Sequence, residues 1–130
     1  MNPASAAEAY RTASIENAPP LQIVRLLYQG ALRFLDQAML DVVPTGTTKF
    51  TQLIGQVDDI VVELRLSLDP NVDNQSDVPG NLERLYLYCE SELHQALSGG
   101  TKEPLGNARR VLEILLDAWN HVDIQNSEAA

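Results

Sequence analysis

The chain has 130 residues, 18 acidic and 9 basic, with a formal net charge of -9. One domain with one core suits this length, and a 45% hydrophobic composition excludes disorder as a description of the whole chain. The twofold excess of acids argues against a partner held through phosphates, whether nucleic acid or an anionic membrane surface.

Cys89 is the sole cysteine, so neither an internal disulfide nor a Cys-based zinc site can form. Residues 1–9 lack the basic start and strongly apolar run of a signal peptide. No stretch approaches the roughly 18 uninterrupted apolar residues of a membrane helix. The expectation is a cytoplasmic protein, in which the sequon Asn74-Gln75-Ser76 is accidental.

An N-terminal piece, Glu8 to Ile15, comes first and is followed by Asn17-Ala18-Pro19-Pro20. Residues 1–17 read as a cap segment, helical or extended. The first long helix is predicted from about Pro20 to Asp41. Its polar positions Gln22, Arg25, Gln29, Arg33 and Asp36 form one narrow stripe, and nearly everything else is apolar. At 100° per residue the apolar arc covers roughly two-thirds of the circumference, wider than one bundle face requires.

Pro44-Thr45-Gly46 breaks the chain, and Thr47 or Thr48 is placed to cap the next helix. That helix carries Leu53, Ile54, Val57, Ile60, Val61, Leu64 and Leu68 at the three-four spacing of one face. A polar loop from Asp69 to Gly80 leads to a third helix with Leu82, Leu85, Tyr86, Cys89, Leu93, Ala96 and Leu97 on its stripe. After Ser98-Gly99-Gly100, Pro104 suits the first turn of a fourth helix carrying Leu105, Ala108, Leu112, Leu115, Trp119 and Val122. No period-two alternation is sustained, so strands are not predicted. The reading is an all-α, antiparallel four-helix bundle over residues 20–125, with the cap segment before it and a short flexible tail after it.

Val62 and Leu66 lie well round from the second helix's stripe, Leu87 sits off the third and Ile114 off the fourth. With the wide arc of the first helix, these positions leave two readings open. Either the helices pack more deeply than a simple bundle, or the surface holds grooves for an amphipathic partner.

Chemistry is sparse. The chain has no Gly-rich phosphate loop, no Gly-x-Ser-x-Gly elbow and no His-Glu-x-x-His pair. Glu90 and Glu92 stand at the wrong spacings from His94 for a di-iron bundle. Glu113, Asp117 and His121 read as an exposed charge stripe, and the pairs Asp58/Asp59 and Glu90/Glu92 as solvated faces. A phosphocarrier role for His94 lacks the basic surroundings such a site needs, with no Lys or Arg following before Lys102. Cys89 lies on an apolar stripe as a small core filler. Tyr10, Tyr28, Tyr86 and Tyr88 suit either core or recognition roles. No catalytic, cofactor-binding or metal-ligating residue is predicted.

Three segments carry a resemblance. Ala9-Tyr10-Arg11-Thr12-Ala13-Ser14-Ile15, Ala18-x-Pro20 and Leu26-Leu27-Tyr28-x-Gly30-Ala31-Leu32-x-Phe34-Leu35 open the chain. Asn81-Leu82-x-x-Leu85-Tyr86-x-Tyr88 and Leu112-x-x-Leu115-x-x-Ala118-Trp119 follow in order. Together, over roughly Ala9 to Val122, they resemble the FliS-type flagellar secretion chaperones. Pro19 stands where that family usually has a capping Ser, so a shifted start to the first long helix is expected. The prolines of the Asp69–Gly80 loop also depart from the family's pattern.

The resemblance implies a cytosolic bundle that binds the disordered C-terminal segment of flagellin, prevents premature polymerisation and delivers the subunit to a component of the export apparatus. It implies no enzyme activity. Tyr10, Ile15, Leu26, Leu27 and Tyr28 are the expected partner-binding residues, with Leu66, Leu87 and Tyr88 as further candidates. The competing readings are an adaptor of another secretion or assembly system and, behind it, a phosphocarrier using His94 or His121.

Overall fold

The computed structural model describes residues 21–68 and 78–129. Four helices account for nearly all of them: α1 (Leu21–Met39), α2 (Thr48–Leu66), α3 (Val78–Gly99) and α4 (Glu103–Ala129). No strand occurs among the described residues. The cap segment, the Pro19-Pro20 start and most of the Asp69–Gly80 loop lie outside them. The fourth helix continues to Ala129, past the boundary expected at residue 125.

Local chemistry sets the helix ends. Thr47, extended at φ -83° and ψ 158°, caps α2 by accepting the Phe50 N–H on its hydroxyl at 3.3 Å. Pro104 sits in the first turn of α4, where its missing N–H costs nothing. Gly46 (φ 83°) and Gly100 (φ 68°) turn the two short connectors through the left-handed region. These connectors lie at the same end of the bundle, because Thr45 Oγ1 donates to the Gly100 carbonyl at 3.1 Å and Lys102 Nζ to the Leu40 carbonyl at 2.6 Å. Sequential helices therefore run antiparallel.

Each helix packs on two neighbours, α1 on α2 and α4, and α3 on α2 and α4. The predicted stripes meet in the middle: Leu53, Ile54, Val57, Val61 and Leu64 of α2, Leu82, Tyr86, Cys89, Leu93 and Ala96 of α3, and Leu105, Ala108, Leu112, Leu115 and Trp119 of α4 are buried. Each large side chain buried this way contributes about 1.5–3 kcal/mol relative to exposure. Leu97, expected on the α3 stripe, is instead exposed near the last turn of its helix. Phe50 and Val43 join the core, Phe50 by reaching in from the first turn of α2 and Val43 from the connector.

The wide arc of α1 now resolves. Val24, Tyr28, Ala31, Leu35 and Ala38 face the centre, while Leu21, Leu27, Leu32 and Phe34 are half-buried against the flanking helices. Gly30 is buried too, and a Cβ built on it would stand at an ordinary 3.7 Å from Ile60 Cδ1, so α1 and α2 lie against each other at this height. Ile23 and Leu26 remain exposed. One helix between two neighbours uses most of a broad apolar arc and leaves a strip of it facing solvent.

Candidate partner-binding site

The expected site residues separate into three groups. Tyr10 and Ile15 lie outside the described residues. Tyr28 is fully buried, its hydroxyl 2.5 Å from that of Tyr86 on α3, so it serves the core and not the surface. Leu27 is half-buried against the core. Leu26 (57% exposed), Leu66 (70%), Leu87 (44%) and Tyr88 (42%) stand on the outside.

Cross-helix contacts set the heights of these exposed residues. Arg65 of α2 pairs with Glu90 of α3, and Asp58 with His94, so α2 and α3 are registered with Leu66 level with Leu87 to within a turn. Gly30 against Ile60 registers α1 on α2 and brings the first two turns of α1 to the height of Leu66. Ile23 and Leu26 of α1, Leu66 of α2 and Leu87 of α3 thus form an apolar belt around three helices, at the end of the bundle away from the short connectors. Tyr88 carries it towards α4, where Ile114 is exposed.

Ile23 was absent from the expected site. Its signal was present, since it lies three residues before Leu26 on the same over-apolar arc. Met39, Leu40 and Val42 form a second exposed apolar group, at the connector end. Nothing in the helical periodicity marks it, because Leu40 and Val42 lie beyond the last turn of α1.

Charges frame the belt. Arg65 Nε donates to Glu90 Oε2 at 2.6 Å beneath it. On the opposite seam Arg109 of α4 pairs with Asp36 of α1 at 2.7 Å and with Glu113 on its own helix. Both arginines are held above their usual range, chiefly by these hydrogen bonds. Desolvation raises the Tyr88 phenol, and the neighbouring Glu92 carboxylate adds to that. Burial pushes the Cys89 thiol up to about 12, which leaves it protonated and unreactive inside the core. On the outer face of α2, Lys49, Gln52, Gln56 and Asp59 wall a shallow polar depression over Gly55, distinct from the belt.

Among the described residues no group of three or more His, Cys, Asp or Glu side chains could hold a metal ion, and no helix is long and apolar enough to cross a membrane. His94 is exposed and Asp58 approaches it at 3.6 Å, an ion-pair geometry on the α2–α3 seam.

A closed apolar core together with a second apolar surface wrapped outside it is the construction of a helical-bundle interaction protein. Comparison with known sequences gives the family. A sequence model of the flagellar protein FliS family matches residues 2–126, and the chain belongs to that family. It is similar to the flagellar secretion chaperone FliS of Vibrio cholerae serotype O1, 24% identical over 119 residues that cover 88% of this chain and 86% of that protein. It is also similar to the flagellar secretion chaperone FliSB of Pseudomonas aeruginosa, 29% identical over 110 residues that cover 85% and 86%.

Proposed function

We propose that this chain is a cytoplasmic export chaperone that binds the disordered C-terminal segment of flagellin, keeps the subunit from polymerising early and aids its delivery to a component of the flagellar export apparatus. The observation that carries this reading is the belt of Ile23, Leu26, Leu66, Leu87 and Tyr88 on a bundle of the FliS family. A disordered amphipathic tail that folds on binding lays its apolar positions against such a surface. The entropy lost in ordering it is offset by the area buried. The protein acts by binding, with no cofactor and no catalytic residue.

We further propose that residues 1–17, through Tyr10 and Ile15, compete with flagellin for this surface. Isothermal titration against a C-terminal flagellin peptide tests the main reading. Binding with a negative heat-capacity change and a gain of helical signal is expected. The absence of any interaction at high concentration would overturn it. Deleting residues 1–17 should alter the peptide affinity, and an unchanged Kd would remove the cap from the account.

A further inference from the structure

The acid excess of the chain is not spread evenly over the belt. α1, which carries Ile23 and Leu26, has Arg25 and Arg33 against Asp36 alone. The α2–α3 seam, which carries Leu66 and Leu87, is built differently.

Two ion pairs mark its edges. Asp58 and Arg65 line the side of α2 that meets α3, and Glu90 and His94 the side of α3 that meets α2. Val62 falls four residues after Asp58 and three before Arg65, so it lies on the same edge, half-buried, with Leu66 one turn beyond it. Leu87 stands three residues before Glu90 on the facing edge, level with Leu66 to within a turn. The outer face of the seam therefore has an apolar floor of Val62, Leu66 and Leu87.

Carboxylates surround this floor. Asp59 precedes Val62 by three residues and Glu83 precedes Leu87 by four, and both are exposed. Arg65 feels the charges of Glu90, Glu83 and Asp58, and Asp58 those of Glu90 and Asp59, so the four acids share one field. Two arginines stand among them. Arg65 is held by the Glu90 fork, and Arg84 donates to the Asn81 side chain at 2.6 Å. Four carboxylates against two guanidiniums leave a negative rim, to which His94 adds positive charge only when protonated.

An apolar strip with a negative rim selects among amphipathic partners. Burial of apolar side chains supplies the attraction, and it is the same for any helix with a matching stripe. The rim decides between such helices: flanking Lys or Arg meets opposite charge, whereas flanking Asp or Glu meets like charge as water is removed. At physiological salt the Debye length is about 8 Å, so the charges that count are those of the seam itself.

We infer that the α2–α3 sector of the belt docks an amphipathic helix whose apolar stripe is flanked by Lys or Arg. The inference rests on the belt being the docking surface proposed above, and it states which stretch of a bound tail this sector takes. Long basic side chains suit the site, because their methylene stems extend along Val62 and Leu87 while their heads reach Asp59 and Glu83.

The test uses the full chain and two synthetic helices of about 15 residues with one shared leucine stripe, flanked in one by Lys and in the other by Glu. Kd is measured by isothermal titration at low and high salt, and amide NMR shifts locate the contact. The Lys peptide should bind wild type at least about tenfold more tightly than the Glu peptide, with shifts centred on Val62, Leu66 and Leu87. Asp59→Asn/Glu83→Gln alters two exposed positions and should weaken binding of the Lys peptide about three- to tenfold at low salt, and less at high salt. Glu103→Gln/Asp117→Asn removes the same charge from exposed sites on α4 and should change affinity by less than about twofold. Equal binding of the two peptides, equal loss in the two variants, or shifts confined to other helices would each overturn the inference. Wild type that takes the Lys peptide at the seam but ignores the C-terminal flagellin peptide would count against the proposed function alone.

Discussion

Arg65 of α2 grips Glu90 of α3 with two hydrogen bonds, Nε to Oε2 at 2.6 Å and Nη2 to Oε1 at 3.3 Å. Both side chains are largely covered, and Leu66 and Leu87 project from the same stretch of seam. The fork geometry holds the two helices at one relative height, which a single-point contact would not do.

Glu90→Gln keeps the shape and removes the charge. It should lower the melting midpoint by about 2–4 °C for a domain of this size, and the loss should shrink in high salt. Arg65→Lys should not behave as wild type, because an ammonium cannot make the parallel pair of bonds. Thermal scans at two ionic strengths check both statements. A Glu90→Gln protein that melts with the wild type would show the pair to be energetically idle.

Leu26 and Tyr28 lie two residues apart and should respond in opposite ways. Leu26→Ser alters an exposed position, so stability should stay within about 0.5 kcal/mol while affinity for the flagellin peptide falls. Tyr28→Ala empties a fully buried site and should cost about 3–5 kcal/mol, enough to confuse any binding measurement. Urea unfolding beside calorimetric titration separates the two effects. Peptide affinity that survives Leu26→Ser would remove α1 from the docking surface.

Two glycines should respond with opposite signs to alanine. At Gly30 a Cβ would meet Ile60 Cδ1 at 3.7 Å and Arg33 Nη2 at 3.9 Å, both ordinary contacts, so Gly30→Ala should stabilise the helix by about 0.5–1 kcal/mol. Gly100 holds φ at 68°, where a side chain is strained, and Gly100→Ala should destabilise by about 1 kcal/mol. Urea midpoints of the two variants should move in opposite directions.

Asp58 provides the pH prediction. Burial raises its carboxyl above the ordinary 3.8; attraction to His94 opposes this and repulsion from Glu90 adds to it. A carboxyl raised on folding binds its proton more tightly in the folded state. Its stabilising contribution is therefore complete below 3.8 and is lost as pH rises through the higher folded value. Asp58→Asn should melt higher than wild type at pH 7, and the gap should close as pH falls through the carboxylate range. A variant less stable than wild type at pH 7 would mean that the His94 attraction outweighs the burial.

The helices were readable because their signals are local. The three-four spacing of Leu53 to Leu64, the threonines before α2 and Pro104 at the start of α4 each act within a turn or two of chain. Leu66, Leu87 and Ile114 were legible as off-stripe apolar residues, and all three are exposed. Tyr28 was not assignable in this way. Its place on α1 suits core or surface, and the choice depends on Tyr86, which lies 58 residues away. Leu97 failed for a related reason: it has the right phase on its helix but stands close to the end of the bundle, beyond full cover.

The amino-acid sequence by itself determined four amphipathic helices, their antiparallel order and the presence of more apolar surface than one core consumes. Periodicity and capping are properties of a segment, and they survive without knowledge of any other segment. Only the tertiary structure decided which part of that surplus faces outward and at what height. Those are relations between helices, set by contacts such as the Arg65–Glu90 fork and the packing of Gly30 on Ile60. The acid excess of the composition argues against phosphate-bound partners, but the belt of exposed leucines exists only once three helices stand side by side in register.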